Sequence, residues 1–362
     1  MRILFLIDNL GSGGAQRQIV TLATLIKEIH SDISILTYSK ENFFIEKVFA
    51  NDIKLEYIKS NNLIERIFKI RKFIRSGKYD VVISFMGTPN FLNNFSAFEG
   101  RSWKIITSER TSGVYINNSI RYRLFSWFQH YSDYIVCNSN NTREEWNKYK
   151  SNYSDKLKVI YNPVILPKIT STYTPKVNHK INILIAASYQ YLKNPIGLIK
   201  AVIMMSEEER SKIEINWYGR TEVTSGDTRA YDESLNLIKE NDLENVIHLN
   251  GQTKDISNIM NTADFVALFS ELEGLPNAIC EGMMIGKPII MTRVSDYDNL
   301  VDKSNGFLCD WNNSESIKNA LVKASELSSE EIVLMGQRSK EKAEILFSSH
   351  DIINQWLELI ES

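Results

Sequence analysis

The chain has 362 residues, 43% hydrophobic and 24% charged, with a formal net charge of −2, a composition that excludes disorder and permits two or three globular domains. Three cysteines without a CxxC pair (Cys137, Cys280, Cys309) and five scattered histidines argue against a zinc cluster or a disulfide framework and fit the reducing cytoplasm. Charge is uneven: residues 1–170 hold 24 Lys and Arg against 15 Asp and Glu, whereas the remainder holds 18 against 29. A basic first half and an acidic second half imply two domains with different partners.

The opening MRILFLIDNL is too short and too soon acidic for a signal peptide. Ile3–Ile7 predicts a buried strand, followed by the turn DNLGSGG and a helix whose apolar face is Ile19, Leu22, Leu25, Ile26 and Ile29. Strand, glycine turn and helix open a Rossmann-like unit, yet GSGG is not GxGxxG, so the dinucleotide reading is weak. Gly13 and Gly14 either form a simple tight turn or let a substrate approach the backbone at a helix N-terminus. Strands are expected at Ile33–Thr37, Lys54–Ile58, Val81–Phe85, Lys104–Ser108, Tyr134–Cys137 and Lys158–Tyr161, with helices or loops between them. In a parallel sheet the carboxyl ends of these strands form one rim, collecting Gly11–Gly14, Met86–Asn90, Glu109–Thr111, Asn138–Ser139 and Asn162.

Two basic stretches in this half are laced with apolar residues. IERIFKIRKFIRSGK (64–78) and IRYRLFSWFQHYSDY (120–134) fit interfacial helices on anionic lipid, and equally fit ordinary amphipathic helices with a solvated charged face. No stretch approaches the roughly 20 apolar residues of a bilayer span, so any membrane contact is expected to be peripheral. Nucleic acid is disfavoured because the second half is acidic and shows no recognised fold signature.

A linker rich in Pro, Ser and Thr is expected at 166–180, separating domains 1–165 and 181–344. The second domain repeats the grammar, with strands at Ile181–Ala186, Ile213–Tyr218, Val246–Leu249, Phe265–Phe269, Pro288–Met291 and Gly306–Leu308. Lys193 falls in the loop before a helix beginning at Pro195, and a helix is expected over Thr253–Met260. After Phe265–Phe269 comes ELEGLPNAICEGMMIGK (271–287). On one continuous helix Glu273 and Glu281 would turn about 80° out of register. Pro276 instead suits a helix start, which leaves Glu273 and Gly274 in a loop and puts Glu281 about one and a half turns into the helix. Each carboxylate alone reads first as a solvated acid, Glu273 in a loop and Glu281 on a helix surface. Beside Ala278, Ile279, Gly282 and Met283, however, Glu281 calls for a polar partner such as a sugar or ribose hydroxyl.

These residues carry a resemblance. Glu273-Gly274-Leu275-Pro276-Asn277-Ala278, Glu281-Gly282-Met283 and Gly286-Lys287-Pro288 resemble the EGxPxxxxEAMAxGxPV segment of the retaining family 4 (group 1) glycosyltransferases. Gly13-Gly14-Ala15-Gln16-Arg17 is similar to that family's GGAER helix start. Asn162-Pro163 and Lys254-Asp255-Ile256 are familiar there too. The resemblance implies a GT-B fold, two Rossmann-like α/β domains facing across a cleft, with a final helix (345–362) returning to the first domain. It implies donor-sugar contact at Glu273, ribose contact at Glu281 and diphosphate contact at Lys193. Gly13, Gly14, Gly219, Lys254, Gly274, Leu275 and Pro276 would line the donor, the last two near the phosphates and sugar through the backbone. Ser188 stands where the family commonly has an Arg, which Arg110, Arg220 or Arg293 would have to offset; Arg110 joins Glu273 and Lys193 as an expected catalytic group.

The implied reaction moves a hexose or N-acetylhexosamine with retention from a nucleoside-diphosphate donor, UDP foremost. The acceptor would be a lipid-linked or growing glycan of a bacterial surface polysaccharide, with no metal and no other cofactor. The setting would be cytoplasmic, with peripheral contact to the plasma membrane. A non-catalytic sugar-nucleotide-binding partner and a nicotinamide-dependent oxidoreductase remain as alternatives.

Overall fold

The computed structural model describes residues 1–110, 120–174, 180–223 and 226–362. The chain divides into two compact units: Met1–Ile165 with Ser348–Ser362, and Leu166–Phe347.

Unit 1 is built on seven parallel strands: β1 (Arg2–Leu6), β2 (Asp32–Thr37), β3 (Lys54–Tyr57), β4 (Val81–Phe85), β5 (Lys104–Glu109), β6 (Tyr134–Cys137) and β7 (Leu157–Val159). Their order is β3-β2-β1-β4-β5-β6-β7. The continuous apolar run of β1 is explained by burial on both faces. Ile3 and Phe5 enter one core with Ile19, Ala23 and Ile26 of the Gly14–Lys27 helix. Leu4 and Leu6 enter the other with Ile70 and Ile74 of the Leu63–Ser76 helix.

The first of those cores is completed by the chain's last helix, Ser349–Glu361. Trp356 is 1% exposed and stacks on Phe85 of β4 at a centroid distance of 6.2 Å. Lys104 of β5 donates from Nζ to the carbonyls of Leu359 and Ile360, both at 3.1 Å, placing a cation at the negative end of that helix.

Unit 2 has six parallel strands: β8 (Ile181–Ala186), β9 (Ile213–Tyr218), β10 (Ile247–Asn250), β11 (Phe265–Leu268), β12 (Ile289–Thr292) and β13 (Gly306–Cys309), in the order β10-β9-β8-β11-β12-β13. In both sheets the strand order reverses once, between β1 and β4 and between β8 and β11. Loops leaving strands at such a reversal splay apart and open a crevice above the sheet.

The sequence reading needs four local corrections. The helix expected at Thr253–Met260 begins only at Ile256 and ends at Thr262, because Thr253 Oγ1 accepts from the Asp255 N–H and holds that corner as a turn. The strand expected at Lys158–Tyr161 is Leu157–Val159, with Ile160 adding one further ladder bond to Cys137. Pro276 is the residue before its helix, not within the first turn, and the helix runs Asn277–Ile285. The stretch read as a linker is tied down in part: Thr170 and Ser171 donate from their N–H groups to Asn258 Oδ1, and Tyr173 donates to Asp264. Residues 175–179 of that stretch lie outside the described residues.

Replacing Trp356 by Ala should destabilise unit 1 by roughly 3–5 kcal/mol, since it empties an indole-sized space in a closed core. Chemical denaturation monitored by fluorescence would show an earlier transition for unit 1 with unit 2 unaltered.

Candidate active site

In unit 2 the crevice at the reversal is formed by the loops after β8 and β11. The loop after β8 is anchored by Tyr189, 1% exposed, whose hydroxyl donates to the carbonyls of Trp217 and Asn250 at 2.9 and 3.0 Å. Residues Tyr191–Lys193 then form a single 3-10 turn that ends at Asn194, held in the left-handed region with φ 61°. Asn tolerates that conformation, and its side chain accepts from the Gly197 N–H to cap the Pro195–Ile203 helix.

The loop after β11 meets this turn directly. The Glu271 N–H donates to the Leu192 carbonyl at 2.9 Å, and Lys193 Nζ pairs with Glu273 Oε1 at 2.5 Å. The same Oε1 accepts from Ser270 Oγ at 2.7 Å, and the Ser270 carbonyl is held by Thr292 Oγ1. Both charged side chains are mostly covered, at 20% and 12% exposure. Glu273 Oε2 accepts no hydrogen bond among the described residues, and Lys193 uses one of its three N–H donors on Glu273. The pair is thus a charged couple with spare capacity for a ligand.

Glu281 lies on the wall beside this loop, 7% exposed on the Asn277–Ile285 helix, among buried Ile279, Cys280, Gly282 and Met283. The helix ends at Gly286 with φ 92°, a conformation that asks for glycine. Leu275 and Pro276 are buried, and the Ser295 hydroxyl donates to the Gly274 carbonyl. The expectation that Pro276 offers backbone to phosphate is corrected, because proline has no N–H to donate.

Of the other expected donor residues, Ser188 accepts from Gln190 Nε2 at 2.8 Å, and Gly219 is buried against the loop after β8. A Cβ at Gly219 would lie 1.9 Å from the Ala187 carbonyl oxygen. Lys254 is exposed in the turn before the Ile256–Thr262 helix. Arg220 is exposed and Arg293 pairs with Asp310 at 2.7 Å.

In unit 1, Gly13 and Gly14 are exposed at the start of their helix. Gly13 has an extended backbone (φ −74°, ψ 160°) that any residue adopts, so the structure does not require glycine there for its turn. Arg110 donates to Asn162 Oδ1 and stacks over Phe85 with its guanidinium carbon 4.0 Å from the ring centroid. Burial pushes its pKa down to about 9, against the raising influence of Cys137 and Glu109. Thr111, expected on the same rim, lies outside the described residues.

Of the groups behind Arg110, sequence reasoning placed Asn90 on the rim and missed the rest. Asn90, Asn93 and Asn94 of the Gly87–Ser96 helix, with Ser84, Thr107, Gln129 and Ser132, form a buried polar network that ends on Glu109. The signal was present in NFLNNF, where three amides recur at i, i+3 and i+4 on one helix face, a spacing normally reserved for apolar residues.

Comparison with known proteins follows this geometry. A model of the Glycosyltransferase Family 4 matches residues 12–166, and a model of the Glycosyl transferases group 1 matches residues 180–326. The chain is 25% identical to a Campylobacter jejuni GalNAc-alpha-(1->4)-GalNAc-alpha-(1->3)-diNAcBac-PP-undecaprenol alpha-1,4-N-acetyl-D-galactosaminyltransferase, over 99% of this chain and 98% of that one. It is 24% identical to the same organism's N-acetylgalactosamine-N,N'-diacetylbacillosaminyl-diphospho-undecaprenol 4-alpha-N-acetylgalactosaminyltransferase, over 79% of each. Among solved structures, HepE of Anabaena in complex with UDP and glucose superposes with a TM-score of 0.84 at 18% identity, covering 100% of this chain and 99% of that one.

Replacing Gly219 by Ala should force the Ala187 carbonyl aside and cost roughly 1–3 kcal/mol; thermal melting checks the cost, and loss of nucleotide-dependent stabilisation checks the displaced Lys193 loop. Two parallel-sheet α/β units, each matching its half of one enzyme family, make this chain a GT-B glycosyltransferase of family 4, group 1.

Proposed function

We propose that the enzyme transfers an N-acetylhexosamine or hexose from a UDP-sugar, with retention, to a polyprenyl-diphosphate-linked glycan of a bacterial surface polysaccharide. The observation that carries this reading is the Lys193–Glu273 couple at the strand reversal of unit 2, with buried Glu281 on the adjoining helix. The lipid-diphosphate acceptors named for the two Campylobacter relatives support the acceptor class, and UDP in the HepE structure supports the nucleotide.

The chemistry assigns each group a role. As the sugar leaves, negative charge grows on the diphosphate and positive charge on the anomeric carbon. Lys193 offers its unused N–H donors to the diphosphate, and Glu273 Oε2 receives a sugar hydroxyl. Glu281 accepts from the ribose hydroxyls. With Ser188 in place of a second cation, Lys193 carries the diphosphate charge alone on its loop, and no metal is invoked. Gly13 and Gly14, exposed at a helix N-terminus, leave room for a phosphate or an acceptor at the rim of unit 1.

The basic stretches of unit 1 divide into two classes. Arg71 and Arg75 are structural: they donate to the carbonyls of Phe95, Ser96, Phe98 and Gly100 and fasten the end of the Gly87–Ser96 helix. The exposed apolar residues are Leu63, Ile64 and Phe68 on one helix and Ile120, Leu124 and Trp127 on another, with exposed Lys69, Lys72, Arg121 and Arg123 among them. These side chains fit an anionic bilayer surface, where a lipid-linked acceptor resides. Among the described residues no helix is long and apolar enough to cross a membrane.

Calorimetry with UDP, GDP, ADP and NAD tests the donor assignment. UDP should bind best, and Glu281→Ala should raise its Kd by about 10-fold or more, the loss of a charged hydrogen bond. Tight NAD binding with no response to UDP would overturn the reading. Sedimentation with phosphatidylglycerol vesicles at low salt tests the surface: the double variant Phe68→Asp, Trp127→Asp should lose most vesicle binding while retaining UDP affinity.

A further inference from the structure

Glu109 ends β5 at the carboxyl rim of unit 1, and everything behind it is built to hold one of its oxygens. Oε1 accepts from Asn90 Nδ2 and from Gln129 Nε2, both at 2.9 Å. Neither amide can turn around. Gln129 Oε1 is occupied by the Thr107 and Ser132 hydroxyls and by Asn94 Nδ2, and Asn90 Oδ1 by the Ser84 hydroxyl. The amide N–H groups are therefore forced towards Glu109. These supporting residues are all at most 2% exposed, whereas Glu109 itself is partly open. Its Oε2 accepts no hydrogen bond among the described residues.

A second observation points to the same place. Met86, which follows β4 beside β5 and caps the helix carrying Asn90, has φ 78° and ψ 161°. That region is almost reserved for glycine and costs of order 1–3 kcal/mol for other residues, a strain that collects at functional sites. Its N–H donates to the Ser108 carbonyl at 3.0 Å, and the same carbonyl accepts from Asn90 Nδ2. The strained turn thus delivers the helix that orients Glu109.

We infer that Glu109 contacts the acceptor: Oε2, left open at the rim of unit 1, accepts a hydrogen bond from a hydroxyl of the acceptor sugar. The inference rests on the transferase reading above and adds to it a residue on the acceptor side. A purely structural role would be met by glutamine, whose oxygen accepts from the same two amides without the cost of burying a charge. Burial raises the Glu109 carboxyl to about 7, against the lowering effect of the Asn90 and Gln129 hydrogen bonds and of Arg110. Among the described residues, the charged and titratable groups interacting with it are Arg110, next in the chain, and the Cys137 thiol on β6; the adjoining helix and 3-10 turn present the neutral amides.

The test compares the wild type with Glu109→Gln, using UDP-N-acetylgalactosamine and a short-chain polyprenyl-diphosphate-linked N-acetylgalactosamine. Wild-type kcat/KM for the acceptor should fall as pH drops through neutrality, following protonation of Glu109. In Glu109→Gln that acidic limb should vanish and kcat/KM for the acceptor should drop by about 100-fold, with melting temperature and UDP affinity unchanged. A Glu109→Gln enzyme with wild-type turnover and the same acidic limb would overturn the assignment while leaving the transferase reading in place. A wild-type enzyme that neither binds UDP nor uses this acceptor pair would overturn both. Glu109→Asp supplies the control for shape: partial rescue of rate with the limb restored supports a carboxylate in contact with substrate, and no rescue of the limb counts against it.

Discussion

The Lys193–Glu273 pair is the constraint on which the crevice of unit 2 depends. Two loops leaving adjacent strands at a reversal of sheet order would ordinarily drift apart. Here a backbone bond from Glu271 to Leu192 and the ion pair beside it hold them to one geometry. Ser270 and Thr292 brace the acid from beneath, and Asn194 stops the lysine's turn and starts the next helix in a single residue. A half-buried pair of this kind gives little net stability, because desolvation offsets much of the attraction. It does fix both side chains in one geometry, with donors and lone pairs still unspent.

Unit 1 solves a different problem with different means. Its rim holds a carboxylate and a guanidinium side by side in sequence, Glu109 and Arg110, and the two form no ion pair with each other. Arg110 is stacked on Phe85 and tied to Asn162; Glu109 is held by amides. The separation limits Arg110 to a lowering influence on the carboxyl that is smaller than that of the Asn90 and Gln129 hydrogen bonds.

Much of this was legible in the sequence for a physical reason. Strands buried on both faces read as near-continuous apolar runs, as in β4, while β9 alternates, and β4, β6, β8 and β9 stand at their expected bounds. The helix after Glu273 was marked by Pro276 to within one residue. What stayed hidden was set by side-chain bonds that no local pattern reports. Thr253 delays a helix by bonding a backbone N–H, and Arg71 turns inward to carbonyls although its stretch reads as a charged surface. The amides of the Gly87–Ser96 helix were legible only as a spacing: polar residues at helical intervals are ordinarily taken for a solvated face, and only the tertiary structure shows them buried.

The Trp356 helix carries a consequence for how the molecule is made. Residues 348–362 belong to unit 1, but they follow the whole of unit 2 in the chain. A ribosome therefore delivers the seven-strand sheet early and withholds the piece that closes its core until another 182 residues have emerged. During that interval the apolar groove around Phe85 must be tolerated open, while unit 2, contiguous in sequence, is free to fold to completion. Synthesis order thus makes unit 2 the first finished part of the enzyme, and the half bearing the chain's beginning the last.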